Sequence, residues 1–296
     1  MVALLRSHSD CTTTQTMSER PSPIPANTGT VIVIPSRYAS TRFPGKPLVA
    51  IAGSDGVTRS LIQWSHAAAA AVPGVDSVFV ATDDHRITDA VDVFGGQWLM
   101  TPESCANGTE RVAACLDQLP DADLLVNFQG DALLTPPDFV AALIDHMRAN
   151  PGAQVGTIAV RCSPDTFHHL AQDAAEGRVG GTTVVLNARS EALYFSKRIL
   201  PYLPEGRLPD ENMPVLLHLG LYAYRREALE RYVTAGPTML ESVEGLEQLR
   251  FLHAGVPVSV LALEEQGYPI VEVNNPSDIS IVEGILSTRA LPVQGA

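Results

Sequence analysis

Residues 31–46 read VIVIPSRYASTRFPGK and join an apolar run to a basic loop. The run VIVIP is rich in β-branched residues, which is typical of a strand buried on both faces of a parallel sheet. Arg37, Arg42 and Lys46 follow it, and no Asp or Glu occurs from residue 20 to residue 54. Ligands of open α/β sheets bind at the carboxyl ends of the strands. The stretch therefore predicts an anion site at the end of the first strand.

The bulk composition indicates a globular protein that does not bind polyanions in general. The chain has 296 residues and a formal net charge of −13, with 45% hydrophobic and 18% charged residues. This length suits one large α/β domain or two small ones. The acidic balance argues against general binding to nucleic acid or to a membrane surface. The four cysteines are scattered without a C-x-x-C pair, as reduced thiols of a cytoplasmic protein would be: Cys11, Cys105, Cys115 and Cys162.

The N-terminal residues differ from the rest of the chain. Residues 1–29 are rich in Ser, Thr and Pro and show no hydrophobic period, so we expect a disordered tail. Their four-residue apolar run is too short for a signal peptide, and no stretch approaches the roughly 20 apolar residues of a membrane span. We expect residues 30–290 to form the functional domain.

Strands and helices alternate through the first half of this domain. DSVFVATD and DLLVNFQGD are predicted strands, and ITDAVDVFGG and GTERVAACLDQL are predicted helices. A helix over TPPDFVAALIDHMRAN should start with Thr135 as N-cap and Pro136 in its first turn. The alternation predicts a doubly wound, mostly parallel, Rossmann-like α/β sheet.

The second half is predicted to contain more strands and fewer helices. Several strands with little helix between them, over about residues 155–235, indicate a mixed-sheet extension that serves acceptor binding or dimerisation. One helix is predicted over SVEGLEQLRFLHAG, ending at Gly255. We expect a homodimer.

The charged residues after the first strand suit a polyphosphate. Guanidinium groups and an ammonium that converge from one loop can bind phosphate oxygens. The spacing is neither a Walker A loop nor G-x-G-x-x-G, and a solvated basic loop is the alternative interpretation. Asp131 ends the motif NFQGD, where a carboxylate beside bound phosphate would suit Mg²⁺ or would cap a turn.

Four other short motifs each allow a functional and a structural interpretation. NGTER at residues 107–111 would hold a base or ribose, or only cap a helix, and VATDD would contact a ligand or form a turn. His218 and Tyr222 fall on one face of an apolar strand, where a lone His is usually a core residue. Glu247 and Gln248 fall in a predicted helix, where the default interpretation is a solvated face.

Together these motifs resemble the CMP-Kdo synthetase (3-deoxy-manno-octulosonate cytidylyltransferase) family. IPSRYASTRFPGKPL is similar to the N-terminal signature of that family, and VATDD, GTER, NFQGD, ALYFSK, HLGLYAYR and LEQLRFL follow in the family's order. The resemblance covers about residues 30–288. It implies a nucleotidyltransferase fold and the transfer of CMP from CTP to an acidic acceptor, with Mg²⁺ and release of pyrophosphate.

The resemblance also implies roles for individual residues. Those implied to bind CTP are Ser36, Arg37, Arg42, Lys46, Thr82, Asp83, Gly108, Thr109 and Gln129. Arg37, Arg42, Lys46 and Asp131 would be the catalytic residues. Lys197, His218, Tyr222, Glu247 and Gln248 would bind the acceptor, and Asp131 and Asn274 would be the metal ligands.

Three departures from the family pattern bear on the acceptor. Asp131 is followed by Ala132 and Leu133 in place of Glu-Pro, Asn274 stands where the family has a metal-binding Asp, and Lys197 replaces an Arg. An acceptor richer in oxyanions would complete the metal coordination, so the preferred acceptor is a carboxy-phosphonate such as phosphonoformate. The alternatives are Kdo or a related sugar acid, a CTP-binding homologue without activity, and a uridylyl- or adenylyltransferase.

Overall fold

The computed structural model describes residues 29–39, 43–204, 213–265 and 272–288. The predicted tail over residues 1–28, together with Cys11 and Arg42, lies outside the described residues. Within the described part, no helix is long and apolar enough to cross a membrane.

The strands form one large sheet and one short hairpin. The sheet has nine strands with the central order β11-β7-β10-β6-β1-β4-β5, and β8 branches from β10 and carries β9. β2 and β3 form the separate hairpin. In chain order the strands are β1 Thr30–Ser36, β2 Ala50–Ala52, β3 Thr58–Ser60, β4 Ser77–Thr82, β5 Gln97–Met100, β6 Leu124–Asn127, β7 Val155–Arg161, β8 Thr182–Leu186, β9 Ala192–Ser196, β10 Leu216–Tyr224 and β11 Val258–Glu264.

β1 is the centre of the fold, as the opening sequence predicts. It pairs in parallel with β4 on one side and with β6 on the other. Val31 and Val33 belong to one hydrophobic cluster, whereas Ile32 and Ile34 belong to the cluster on the opposite face of the sheet. Successive strand residues point to opposite faces, so a continuous apolar run fills two cores at once. From β1 the chain runs to β4 and β5 on one side and then crosses back to β6 on the other side. This reversal of strand order creates the crevice where ligands bind in such sheets.

Helices cover both faces of the sheet. Their bounds are α1 Leu61–Ala70, α2 His85–Val93, α3 Gly108–Ala113, α4 Pro137–Ala149, α5 Pro164–Ala175, α6 Arg226–Ala235, α7 Met239–Glu244, α8 Leu249–His253 and α9 Asp278–Thr288. The prediction of a mostly parallel α/β sheet is confirmed, since among its central strands only β10 runs antiparallel to its neighbours.

Several predicted element boundaries are wrong. The N-cap of α4 is Pro136 rather than Thr135, and the helix begins one residue later, at Pro137. The helix predicted over residues 108–119 ends at Ala113 and is followed by a short 3-10 turn. Gly245 has φ 62° and interrupts the helix predicted over residues 242–255, which leaves the short helices α7 and α8. Glycine adopts this left-handed conformation without steric cost.

The second half continues the same sheet. β10 inserts antiparallel between β6 and β7, with an irregular register between Leu219 and Tyr222. β8 and β9 extend this part as antiparallel neighbours. Helix α5, which the sequence pattern did not predict, connects β7 to β8. The mixed-sheet extension is therefore joined to the core through the long strand β10.

Candidate active site

A cavity of about 300 Å³ lies at the carboxyl ends of β1 and β6; we call it the strand-end cavity. Its wall combines the loop after β1, the loop before α3 and the loop after β6. It is lined by Pro35, Ser36, Arg37, Lys46, Pro47, Cys105, Ala106, Asn107, Gly108, Arg111, Gln129, Gly130, Asp131 and Asn274.

The loop after β1 places two cations in this wall. Arg37 is exposed and has no hydrogen-bond partner among the described residues. Lys46 begins a 3-10 turn after Gly45, whose φ of 70° turns the chain back toward the sheet, and its ammonium pairs with Asp131. The Ser36 hydroxyl is buried without a protein partner in the described part of the chain. A buried hydroxyl and an unpaired guanidinium are suited to an anionic ligand.

Asp131 lies four residues beyond the end of β6, in a loop that contacts fixed elements. The Ser65 hydroxyl of α1 donates to Gly130 O at 2.9 Å, and Val273 N donates to Asp131 O at 3.2 Å. A Cβ on Gly130 would lie 2.9 Å from Pro35 O, so the loop after β6 approaches the end of β1 closely. The backbone of the loop that carries Asp131 is therefore fixed by contacts with α1, with β1 and with Val273.

The start of α3 forms the opposite wall. Asn107 is the N-cap and its side chain accepts from Glu110 N at 2.8 Å. A Cβ on Gly108 would lie 3.3 Å from Asn127 Nδ2 and 3.6 Å from Gln129 Nε2, so a larger residue would narrow the cavity. Gly108 and Gln129 line the cavity as predicted.

Three residues implied to surround the nucleotide do not line the cavity. Thr82 is fully buried, and its hydroxyl accepts from Asp84 N at 3.3 Å. Thr109 is also fully buried, and its hydroxyl lies 2.8 Å from the hydroxyl of Tyr224. Asp83 accepts from Arg111 Nη2 at 2.8 Å. Each of these side chains is engaged within the protein, and their implied contacts with the nucleotide remain predictions.

Arg111 is a cavity residue that our sequence-based assignment of the site omitted. Its side chain is buried, with Nη1 donating to Thr101 Oγ1 at 2.6 Å and Nη2 donating to Asp83. It ends the motif NGTER, so the sequence contained the signal for it. Asp83, which does not line the cavity, pairs with the Arg111 guanidinium and offsets its charge. This ion pair fixes the position of Arg111 in the cavity lining.

A second cavity of about 610 Å³ opens beside the first; we call it the wide cavity. The two cavities share three lining residues: Gln129, Asp131 and Asn274. The other lining residues come from the mixed-sheet extension, the α7–α8 turn and the segment before α9: Gly180, Gly181, Thr182, Leu217, His218, Leu219, Gly220, Tyr222, Gly245, Leu246, Glu247, Gln248 and Glu272. Groups bound in both cavities would therefore meet at Asp131.

His218 and Tyr222 both lie on this wall, with ring centroids 5.4 Å apart. His218 Nε2 is 3.0 Å from Thr157 Oγ1, and its ring packs edge-on against Phe195. Burial lowers the pKa of His218 to about 3, because the charged imidazolium would lose its hydration. His218 is thus a neutral residue that belongs both to the core and to the cavity wall.

Glu247 and Gln248 do not form a solvated helical face, which corrects our default interpretation. They lie in the turn between α7 and α8 and line the wide cavity. Glu247 accepts from Thr109 N at 3.2 Å, and desolvation raises the pKa of its carboxyl. Gln248 is 2% exposed, and its Nε2 has no hydrogen-bond partner among the described residues. An unpaired buried donor beside a cavity is suited to a ligand oxygen.

Lys197 lies at the rim of the wide cavity. It follows β9, and its backbone N–H donates to Glu244 Oε2 at 3.1 Å. A Cβ on Gly245 would lie 2.8 Å from the Lys197 ammonium, so this charge lies against a lining residue of the cavity. The residue thus supplies a cation beside a cavity whose described lining contains no Lys or Arg.

The donor set at the shared wall suits one nucleotide-bound Mg²⁺ ion. Asp131 supplies a carboxylate, and Asn274 supplies an amide that donates to Glu272 Oε2 at 3.5 Å. No group of three or more His, Cys, Asp or Glu that could hold a metal by itself occurs among the described residues. Mg²⁺ sites that serve phosphate substrates need only one or two carboxylates, because phosphate oxygens and water complete the octahedron.

A strand-end cavity that carries cations and shares a wall with a second cavity is suited to group transfer from a nucleotide. Comparison with known families specifies the class: a family model described as cytidylyltransferase matches residues 31–260. The chain belongs to the cytidylyltransferase family and is a CTP-dependent nucleotidyltransferase.

Individual relatives agree over nearly the whole chain. The 3-deoxy-manno-octulosonate cytidylyltransferase of Maricaulis maris is 46% identical over 258 residues, covering 87% of this chain and 96% of the relative. The enzyme of the same name from Myxococcus xanthus is 38% identical over 260 residues, covering 88% and 97%. The resemblance seen in the sequence motifs is thereby confirmed.

Solved structures give the same result. A structure of CMP:2-keto-3-deoxy-manno-octonic acid synthetase complexed with CTP matches with a TM-score of 0.75 and 35% identity, covering 88% of this chain and 99% of that one. A cytidylyltransferase from Leptospira borgpetersenii matches with a TM-score of 0.57 at 13% identity, which shows likeness of fold alone.

Proposed function

We propose that this protein transfers CMP from CTP to a 3-deoxy-octulosonate-type sugar acid and releases pyrophosphate. The observation that carries the proposal is the shared wall: Gln129, Asp131 and Asn274 line both cavities. Two substrates that meet at one carboxylate are held in the arrangement that a direct transfer requires. The names of the relatives support both the nucleotide and the acceptor.

The strand-end cavity suits CTP. Arg37 and Lys46 lie where the triphosphate would bind, and Arg42 belongs to the same basic loop by sequence although it lies outside the described residues. The start of α3 and Gln129 form the side of the cavity that would contact cytidine. The cations offset negative charge on the leaving pyrophosphate, which is the main demand of phosphoryl and nucleotidyl transfer.

The wide cavity suits a hydroxyl-rich acid. Its described lining contains three carboxylates, Asp131, Glu247 and Glu272, together with the amide of Gln248 and the neutral imidazole of His218. Such groups bond hydroxyls, whereas a compact polyanion would meet repulsion from the carboxylates. Lys197 at the rim supplies one cation for one carboxylate. This lining favours a sugar acid over phosphonoformate, the acceptor that the sequence departures led us to prefer.

The residues at the shared wall fit Mg²⁺ bound together with CTP. Asp131 and Asn274 would hold the ion, which when bound withdraws charge from the phosphate oxygens and makes the α-phosphorus more electrophilic. The protein itself orients the two reactants. The anomeric hydroxyl oxygen of the acceptor bonds to the α-phosphorus, and the bond from that phosphorus to the bridging oxygen of pyrophosphate breaks. The hydroxyl proton passes to solvent water, and we assign no protein base to it.

The test is pyrophosphate release with each of the four nucleoside triphosphates, combined with Kdo, phosphonoformate or no acceptor. We expect release only with CTP plus Kdo or a related sugar acid, in the presence of Mg²⁺. Release from CTP with phosphonoformate but not with Kdo or a related sugar acid would overturn the proposed acceptor. Preference for UTP or ATP would contradict the family assignment of the nucleotide, and CTP binding without turnover on any acid would indicate an inactive homologue.

A variant at the shared wall tests the metal assignment. Asp131→Asn should abolish Mg²⁺-dependent turnover, because the amide replaces the only negatively charged metal ligand we assign. It should also weaken binding of Mn²⁺ to the enzyme–CTP complex, measured by electron paramagnetic resonance. Asp145→Asn is the control, since Asp145 is an exposed carboxylate on α4 outside both cavity linings. Retained Mn²⁺ affinity in Asp131→Asn would place the metal elsewhere.

A further inference from the structure

Arg250 is a buried cation that lines neither cavity. Its side chain is 2% exposed and lies in α8. Nε and Nη2 donate to the two carboxylate oxygens of Glu241 at 2.8 and 2.5 Å, and Nη1 donates to Glu110 Oε1 at 2.9 Å. The guanidinium carbon is 4.1 Å from the centre of the Tyr232 ring. One side chain therefore connects α8 to α7, α3 and α6.

The Glu110 partner leads to the wall of the strand-end cavity. Glu110 lies in the first turn of α3, and its second carboxylate oxygen accepts from Ala106 N at 2.8 Å. Ala106 and Asn107 line the strand-end cavity. The orientation of this carboxylate is thus determined by Arg250 on one side and by the backbone of the cavity wall on the other.

The Glu241 partner leads to the wall of the wide cavity. Glu241 belongs to α7, where it forms a capping box with Thr238. The turn that follows, residues 245–248, lines the wide cavity. Arg250 lies two residues beyond Gln248 and donates back to Glu241 of α7. It therefore connects the two ends of this turn.

The two walls also contact each other directly. Thr109 N donates to Glu247 Oε2 at 3.2 Å, and Asn107 Nδ2 donates to the Tyr232 hydroxyl at 3.0 Å. A shift of the α7–α8 turn relative to α3 would break the bond to Glu247, and a shift of α6 relative to α3 would break the bond to Tyr232. The relative position of the cavities therefore depends on the group that fixes α3 against α7 and α8.

We propose that Arg250 is a positioning residue that holds the wall over residues 105–108 and the wall over residues 245–248 in one fixed arrangement. The inference rests on the proposed function, since the ligands of these walls would be CTP and the sugar acid. A planar guanidinium suits this task because it bonds both oxygens of one carboxylate and a second carboxylate at the same time. An ammonium cannot reproduce that geometry.

Two variants of Arg250 and one matched control provide the test. Arg250→Met and Arg250→Lys are compared with Arg225→Met, which removes a half-buried arginine that donates to Ala153 O and Met147 O, outside both cavity linings. Arg250→Met should raise the KM for CTP and the KM for the sugar acid by at least about tenfold each. Arg250→Lys should give a smaller rise in both KM values. Arg225→Met should leave both KM values unchanged even if it lowers the melting temperature as much as Arg250→Met does.

The outcomes separate positioning from simple destabilisation. A folded Arg250→Met protein with unchanged KM values, or equal changes in Arg225→Met, would overturn the proposal. Where Arg250→Met does not fold, Glu110→Gln serves instead, because it keeps the Arg250–Glu241 pair and changes only the contacts of residue 110 with Arg250 and with Ala106 N. It should weaken CTP binding. Calorimetric titration with CTP in the absence of acceptor needs no turnover, so it tests Arg250 even where the proposed acceptor is wrong.

Discussion

Lys46, in the wall of the strand-end cavity, forms an ion pair with Asp131, which lines both cavities. The pair is partly exposed, so its own contribution to stability is small. Its importance lies in position: a cation and a carboxylate stand side by side where a triphosphate and its metal ion would both bind. Among single residues, the cations Arg37 and Lys46 therefore lie on the loop after β1, and the carboxylates line the wide cavity.

Substitutions of Lys46 and of Lys197 should each weaken the binding of a different substrate. Lys46→Met should weaken CTP binding at least about tenfold, or by ~1.4 kcal/mol, because a phosphate contact is lost and Asp131 loses its cation. Lys197→Met should leave CTP binding unchanged and raise the KM for the sugar acid. Calorimetric titration with CTP and steady-state kinetics measure these two effects. If Lys197→Met weakens CTP binding and Lys46→Met does not, the assignment of the two cavities is wrong.

The elements that matter most for the site are β1, β6 and the loops that follow them. Their parallel pairing brings both carboxyl ends to one edge of the sheet. Gly130 permits the loop after β6 to come within van der Waals contact of the end of β1, since a Cβ there would meet Pro35 O. The site is thus built by the close approach of two segments that are distant in sequence.

Gly130→Ala should test that approach. The added methyl would lie 2.9 Å from a backbone oxygen, so we expect a destabilisation of about 1–3 kcal/mol and weaker CTP binding. Gly152→Ala is the matched control, because no atom lies within 4 Å of a Cβ at that position. Urea unfolding and titration with CTP would show the difference. Equal effects of the two substitutions would mean that the loops can separate without cost.

At the scale of the whole molecule, one sheet carries both cavities and leaves a titratable residue in its interior. The long strand β10 joins the parallel core to the mixed-sheet extension and places His218 on the wall of the wide cavity. The pKa of about 3 for His218 lies below the value of about 6.5 in an unfolded chain. Burial also lowers the pKa of His66 and of His146.

Stability should therefore fall as the solution becomes acidic. The unfolded chain binds a proton at His218 below pH ~6.5 and the folded protein does not, so the stabilisation present above that pH is lost as pH falls toward 3. Between pH 7 and pH 5 this residue should cost about 2 kcal/mol of unfolding free energy. His218→Asn should reduce that slope in urea unfolding, whereas His168→Asn, a substitution at an exposed histidine of α5, should not. An unchanged slope in His218→Asn would contradict the buried neutral state.

The expected homodimer remains a prediction at this scale. The sequence placed the contact in the strands of the second half, where Leu193 of β9 is 61% exposed. If these strands form the interface, Leu193→Lys should convert a dimer to a monomer, because it would bury an unpaired charge. Val93→Lys is the control, since Val93 is 88% exposed at the end of α2 in the first half. Sedimentation equilibrium would show both states; a dimer in Leu193→Lys would place the contact elsewhere.

The local parts of the fold and site were predictable from sequence. The run VIVIP determined a central strand, because an unbroken β-branched segment can be buried only between two layers. The basic loop that follows predicted a phosphate-binding region, since charges close in sequence remain close in space. The family motifs identified the nucleotide chemistry for the same reason: they are short segments whose order along the chain is preserved.

Tertiary structure alone decided which motif residues face a cavity. Thr82 and Thr109 belong to motifs yet are buried within the protein, whereas Glu247 and Gln248 line a cavity because Gly245 ends the helix before them. Arg250 acquires its position only through partners 9 and 140 residues away. Burial and pairing at such separations result from packing of the whole chain, so no local pattern contains them. By itself the sequence determined the strand and the basic loop that follows it, and the packing of the sheet decided where a second cavity meets them.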